Sequence, residues 1–540
     1  MIMKKIFIIL SGTLMASSLS AQSLDPTVEV SRAYEGKLIE VHKPAIEMAV
    51  PDTVQSFDLK FDYSVFDSPY KGSFEFNPYM VEMRPAPVAS DPSRFYLLAG
   101  AGYTLHPVFD LVWSPQIKGP FQVDVYGTHR SYVGDYRAVE HTSSWWGYDL
   151  LSKAGADFGY DWKKASLEFG ASYYGVAVKD YLKKRSYDAV DAYVSLKSKA
   201  QWPKHFMYDI RAAYRYGEDR SMLRLTEHDF RLDARFGPRF DDNNRMFFDV
   251  GVELDAYSKA LNATYGRFYF TPHYIYEKGI MMVDLGVCLA ASMNSGSFIK
   301  NQIIYPDMKL NLKVIPEAMK MYLRVGGGEK LNTYASLVDS NHHLDLGYAD
   351  PLSLVQPSVE RVSAELGFEG RISGFFSYDL KGGYSNFKSA PFDLLLTSGE
   401  GTKVPGIGYA AYQKAYAQLG WDLNFQCVRF DGTVEYIYSW GFDNSSVLAP
   451  SPLSVDAELV YNWRKRVYVG ADCDFALARR NMNGYKVPGY VDLGVFAEYA
   501  VNRKFSVWLR GGNLLDMEIQ RNLLFAEKGI NFTAGICLSL

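Results

Sequence analysis

Apolar and polar residues alternate with a period of two along most of this chain. Met246, Phe248, Val250, Val252, Leu254 and Ala256 are apolar, with Asp249, Gly251, Glu253 and Asp255 between them. Val455, Ala457, Leu459, Tyr461 and Trp463 alternate with Asp456, Glu458 and Asn462. Phe230, Leu232, Ala234 and Phe236 alternate with Asp229, Arg231, Asp233 and Arg235. The closing stretch sets Phe532, Ala534, Ile536, Leu538 and Leu540 against Asn531, Thr533, Gly535 and Ser539. A strand turns successive side chains to opposite faces, so each stretch has one wet face and one apolar face. The alternation predicts about 22 strands between 94–104 and 530–540, among them 225–237, 245–257, 374–387 and 405–425.

A soluble sandwich also alternates, but composition favours a membrane barrel. Aromatics make up 15% of the 540 residues, with 40 Tyr, and the apolar stretches often begin or end in one, as interfacial girdles require. The opposite face carries more charge than a large dry core tolerates, whereas a wet lumen accepts it. Mean hydropathy is −0.15, too polar for a bundle of membrane helices. The expected fold class is all-β, a transmembrane antiparallel β-barrel of about 22 strands, an even number as in bacterial barrels. With both ends in the periplasm, connections after odd strands face outward. Glu329 to Pro357, Lys388 to Pro405, Gly441 to Leu453 and Leu514 to Gly529 are then external, and Lys163, Glu277 to Gly279, Ser373 and Lys465 lie in tight inner turns. The first hairpin, around Leu105 and His106, is short for an external loop.

Met1 to Ala21 has a basic start at Lys4 and Lys5, an apolar middle and small residues at its end, the pattern of a secretory signal peptide. The expected organisation is a leader at 1–21, a short periplasmic or luminal segment at 22–93, and a barrel at 94–540. Net charge is −4, so there is no basic excess to grip nucleic acid. Four Cys cannot form a disulfide framework. Cys288 and Cys537 fall on the lumen register, Cys473 on the lipid register and Cys427 in an inner turn. No Gly-x-Ser-x-Gly, His-Glu-x-x-His or phosphate loop is present, so no enzyme and no cofactor is expected.

The end of the chain is more specific. Pro488-Gly489-Tyr490-Val491-Asp492-Leu493-Gly494 leads into one strand, Phe505 to Asp516 carries Asn513-Leu514-Leu515-Asp516, and Gly529-Ile530-Asn531-Phe532 opens the last. These resemble the final strands of TonB-dependent receptor barrels. Gln356-Pro357-Ser358-Val359-Glu360, followed by Glu365-Leu366-Gly367, is similar to a Pro-Glu and Glu-x-Gly strand of the same family. The resemblance covers the barrel and implies a Bacteroidetes-like receptor barrel in the outer membrane. Such receptors carry an N-terminal plug. Residues 22–93 are too few for one, so a barrel lacking a conventional plug is expected.

Arg211, Arg215, Arg231, Arg235, Arg324, Glu365, Glu369, Arg371, Asp472, Asp474 and Arg510 share the lumen register and are the candidate lining. They would select charged solutes or, as the simpler reading, stiffen the barrel through cross-strand ion pairs. His342, His343 and Asp345 sit in the longest external loop, where a solvated loop is expected rather than a metal site. Trp145 and Trp146 are expected as interfacial anchors. The expected function is passage or uptake of solutes across the outer membrane. Its partners would be outer-membrane lipid and either a TonB-type energising complex or a separate envelope protein. The alternative is a structural or assembly hub whose lumen is filled by residues 22–93 or by inward-folded loops.

Overall fold

The computed structural model describes residues 94–540 apart from short stretches, of which 345–353 is the longest. The expected leader and the segment 22–93 lie outside the described residues. One antiparallel sheet holds 23 strands, one of them the two-residue Ser297–Phe298 piece paired only to its neighbour. The remaining twenty-two form the wall. They are β1 Phe95–Gly102, β2 Val108–Trp113, β3 Phe121–Arg137, β4 Ser144–Asp161, β5 Ala165–Lys179, β6 Lys184–Ser198, β7 Phe206–Asp219, β8 Leu225–Pro238, β9 Asn244–Lys259, β10 Ala263–Lys278 and β11 Met281–Asn294. Then follow β12 Ile304–Ile315, β13 Met319–Leu331, β14 Pro357–Ile372, β15 Phe376–Thr397, β16 Lys403–Phe425, β17 Val428–Trp440, β18 Leu453–Trp463, β19 Val467–Ala476, β20 Tyr490–Ala500, β21 Phe505–Gly512 and β22 Asn531–Ser539. Each pairs with the next, and β22 pairs with β1 from Tyr96↔Ser539 to Gly102↔Thr533, which closes the barrel. Closure leaves no unpaired edge for the membrane to meet.

Strand number and parity agree with the alternation. The connections after odd strands gather at one end and include 332–356, 441–452, 477–489 and 513–530. The other end has tight turns such as 162–164, 373–375 and 464–466, with Ser373, Arg464 and Lys465 at positive φ. The expected loop from Lys388 to Pro405 shrinks to 398–402. After a register shift at Phe387/Ala390 the ladder resumes, pairing Pro391 with Tyr409 and Leu396 with Val404. Pro391 and Pro405 and the run Leu394-Leu395-Leu396 break the alternation there, so the extension has no period-two signal.

One face of the wall is apolar and exposed: Val190, Val194, Ile210, Leu254, Phe268, Leu285, Leu459 and Leu509 all show more than a third of their surface. An apolar belt of this extent around a closed sheet is matched by lipid, not water. The opposite face carries the charges and lines the lumen.

The lumen face also explains the tyrosine content. Tyr193 lies across Gly170 of β5 and donates its hydroxyl to Asp157 of β4, 2.8 Å away. Tyr269 crosses Gly251 of β9 and donates to Asp233 of β8 at 2.5 Å. Tyr187, Tyr322 and Tyr416 repeat this over Gly217, Gly367 and Gly383, ending on Glu227, Asp379 and Glu365. Each tyrosine therefore ties three consecutive strands: its ring covers a glycine that leaves the space, and its hydroxyl meets a carboxylate beyond. Ring cover of strand glycines restores the packing that glycine lacks. A Cβ at Gly251 would fall inside the Tyr269 ring. Gly251→Val is expected to evict the ring, free the Asp233 carboxylate and cost about 1–3 kcal/mol as overpacking. Urea unfolding of the reconstituted barrel reads that loss, with Val250→Ile on the lipid face as the near-neutral comparison.

Candidate functional site

Most of the candidate lining residues are held in pairs along the lumen wall. Arg215 grips Asp191 across strands at 2.5 and 3.1 Å, and Arg235 grips Asp249 at 2.6 Å through both nitrogens. Arg231 meets Asp229 at 2.7 Å on its own strand. Arg211 faces Asp233 in register and stacks 4.4 Å over Tyr193. Arg324 reaches Glu365 at 3.4 Å, Lys320 reaches Glu369 at 3.3 Å, and Arg510 reaches Asp472 at 3.3 Å. Arg371 lies exposed at the inner end of β14, opposite Ser377. The residues form a chain of local pairs rather than one converging centre.

One sector departs from this balance. On β17–β20 the lumen register places Asp431, Glu458 and Asp472 side by side in one row and Asp456, Asp474 and Asp492 in another. Glu435 and Glu498 extend the sector, and Arg429 is the only Arg or Lys in these four strands. Like charges directly opposite one another destabilise a sheet. Relief comes from outside the sector: Arg521, in the loop 513–530, pairs with Asp474 at 2.6 Å and Asp492 at 3.1 Å.

The outer mouth is built differently. The described parts of the loop after β13, 332–344 and 354–356, do not extend into solvent as expected but pack inside the strand ends, and Asp345 lies outside the described residues. It opens with a helix, α1 Tyr334–Ser340, capped by the Thr333 hydroxyl, which accepts from the Ser336 N–H. Tyr334, Ala335, Leu337 and Val338 are buried. With Leu344, Leu354 and Val355 they join a core made by Val176, Val178, Tyr187, Leu225, Tyr257, Tyr265 and Ile407 at the outer ends of the strands. The correction has a physical cause. Apolar residues at i, i+3 and i+4 from Tyr334 give one helical face, and a seven-residue helix persists only when such a face is docked.

Beneath α1 lies a buried polar network that sequence reasoning missed. Arg185 Nε donates to Asp219 at 2.9 Å, with side-chain exposures of only 4% and 0%. The same guanidinium donates to the carbonyls of His342, at 3.1 Å, and Leu344. The Tyr334 hydroxyl donates to Asp219 at 2.5 Å. Glu227 accepts from the Ala335 N–H and from the Tyr187 and Tyr257 hydroxyls. Burial holds the Tyr334 phenol protonated far above its ordinary range. Burial, with the Arg185 cation behind it, lowers the nearby Lys183 ammonium to about 8.

His342 sits 3.0 Å from Asp149, and His343 is buried, 3.6 Å from Asp180 and stacked 3.9 Å from the Phe525 ring. This stack joins 332–356 to the loop 513–530. Among the described residues no three His, Cys, Asp or Glu side chains converge closely enough to hold a metal ion. Buried His273, which faces Asp284 at 2.9 Å in the wall, was also outside the sequence reading. The Asn513-Leu514-Leu515-Asp516 segment gains a structural reason. Asn513, at positive φ, donates to the carbonyls of Met517 and Lys528 and so closes the base of its loop. Trp146 is exposed as an anchor would be, whereas Trp145 stacks on Tyr136 at 4.5 Å. All four cysteines are free.

No protein-family model and no curated protein matches this chain. Solved structures do. The copper transporter OprC is 12% identical, with a TM-score of 0.62 over 83% of this chain and 80% of that one. The FrpB iron transporter from Neisseria meningitidis (F3-3 variant) is 10% identical, with a TM-score of 0.64 over 84% of this chain and 82% of that one. The siderophore receptor PirA from Acinetobacter baumannii is 11% identical, with a TM-score of 0.60 over 83% and 80%. The apolar belt, the closed wall and this likeness agree on a barrel of the outer membrane. The chain has the 22-strand barrel fold of the TonB-dependent receptors.

Proposed function

We propose that this chain is a solute-translocating barrel of the outer membrane, a Bacteroidetes-like relative of the TonB-dependent receptors that works without a conventional plug. The observation that carries the reading is the lumen itself, a continuous wall of charged and hydroxyl side chains enclosed by an apolar belt. Lipid surrounds it, and a TonB-type complex or a separate envelope protein supplies the energy for uptake. Arg211, Arg215, Arg231, Arg235, Arg324 and Arg371 line the route, as do Glu365, Glu369, Asp472, Asp474 and Arg510. Their pairing means that they shape the route more than they charge it. The acidic sector on β17–β20, only partly neutralised by Arg429, Arg510 and Arg521, sets the sign of its selectivity, so cationic and neutral solutes pass in preference to anions. The hub reading has one observation in its favour, the packed outer loops, which offer an ordered surface to other envelope proteins.

Planar-bilayer recording in a salt gradient tests the proposal. A reversal potential on the cation-selective side supports it, and Asp456→Asn with Asp474→Asn should move that potential toward zero. Absence of any ionic current, together with stoichiometric recovery of envelope proteins from mild detergent, would favour the hub.

A further inference from the structure

Two neighbouring turns at the inner end of the barrel carry five cations and no Asp or Glu. Arg464, Lys465 and Arg466 lie between β18 and β19, and Arg503 and Lys504 between β20 and β21. The turns adjoin, because the Ala500 N–H donates to the Arg466 carbonyl at 2.7 Å. All five residues are exposed. On the lumen face arginines are matched with carboxylates, as Arg510 of β21 is with Asp472. Among the described residues none of these five has an ion-pair partner. Glu498, near the foot of β20, faces the lumen and accepts from the Ser506 hydroxyl.

We propose that these two turns form a binding site for anionic phospholipid headgroups of the inner leaflet. Height is the first argument. β20 and β21 have 11 and 8 residues, about the number that a tilted strand needs to cross the hydrocarbon. No length is left over to carry the turns clear of the membrane, so they lie at headgroup depth. The second argument is what adjoins them. Trp463, Tyr499 and Val501 face lipid directly beside the cations, with exposures of 52%, 50% and 49%, and exposed aromatics of this kind mark the membrane interface. The Arg464 guanidinium lies 5.3 Å from the Trp463 ring, which holds it against this girdle with its N–H groups turned to no carboxylate. A phosphodiester at the same depth supplies the missing acceptor, and clustered Lys and Arg at a membrane surface favour anionic over zwitterionic lipid. Continuity with the apolar belt favours lipid over an acidic protein as the occupant. The site grips the membrane on the low side of the wall, opposite in character to β15 and β16 with their 22 and 23 residues. It rests on the barrel's place in the outer membrane and not on what passes through the lumen.

The test is local quenching by labelled lipid. Val501→Cys beside the cations, and Ile372→Cys on the lipid register of β14, are made in a protein whose four native cysteines are replaced by alanine. The turn that follows Ile372, 373–375, carries no charge. Each cysteine is labelled with bimane, and the barrel is reconstituted into phosphatidylcholine vesicles. These hold a small fraction of either nitroxide-labelled phosphatidylglycerol or nitroxide-labelled phosphatidylcholine. At Val501→Cys the phosphatidylglycerol probe should quench about threefold more than the phosphatidylcholine probe, whereas at Ile372→Cys the two should quench alike. Combining Lys465→Asn, Arg466→Gln, Arg503→Gln and Lys504→Gln should bring the ratio at Val501→Cys close to one; asparagine suits the positive φ of Lys465. Salt at about 0.5 M should lower the same ratio by screening. Heat-modifiable gel migration verifies a folded barrel, and if the combined variant fails to fold, the salt comparison carries the test. Equal quenching by the two lipids at Val501→Cys, or the same excess at Ile372→Cys, overturns the site and leaves the cations to an acidic protein.

Discussion

Arg185→Ala is expected to release 332–344 from the strand ends at a local cost of about 3–5 kcal/mol, the price of leaving a buried charge without its partner. Asp219 is fully buried and takes the Arg185 Nε, the Tyr334 hydroxyl and the Ser221 N–H. Without the guanidinium its charge keeps only neutral donors. The His342 and Leu344 carbonyls lose their charged donor at the same step. Amide hydrogen exchange should show the loss as reduced protection of 332–344, while the mid-barrel amides keep theirs. Asp219→Ala should be nearly as costly. Combining the two should cost much less than their sum, because removing both charges abolishes the uncompensated ion. Additive losses would mean that the pair does not hold the loop.

The second large effect concerns two neighbouring residues. Val434 faces lipid near the middle of β17, in register with Leu419 and Val455. Thr433 faces the lumen, in register with Gly420 and Asp456. An arginine on the lipid face near the midplane costs about 2–4 kcal/mol in a barrel of this kind. Val434→Arg should therefore destabilise by that amount in urea unfolding from lipid. Thr433→Arg points the same side chain into the acidic sector, where Asp456, Asp474 and Asp492 lie in one row, and should be neutral or stabilising. Equal costs at the two positions would mean that the assignment of faces is wrong.

The wall is legible in the sequence because lipid outside and water inside constrain every second residue over the whole height. A stretch such as Phe230 to Phe236 therefore declares both its conformation and its faces. Legibility fails where that double constraint lapses. Beyond Phe387 the β15–β16 hairpin rises past the belt, and prolines and consecutive leucines replace the alternation. The tyrosine staples depend on the register of three strands, so Tyr269 alone gives no sign that it seeks Gly251 and Asp233. The outer network is harder still. Arg185 begins a strand and Asp219 ends one, and a third segment 115 residues beyond Asp219 supplies Tyr334. The helical spacing of Tyr334, Leu337 and Val338 was the available signal for the loop, but Asn341, His342 and His343 beside it read as a solvated tip. Cross-strand ion pairing of the candidate lining was the simpler reading of the sequence, but which carboxylate each arginine takes depends on the register between strands, which no single stretch carries.

The most direct measurement is the conductance of the purified protein in planar bilayers, recorded in a salt gradient. The expected result is a steady, cation-preferring current. Silence, with insertion verified by heat-modifiable migration, would contradict a solute route through this lumen.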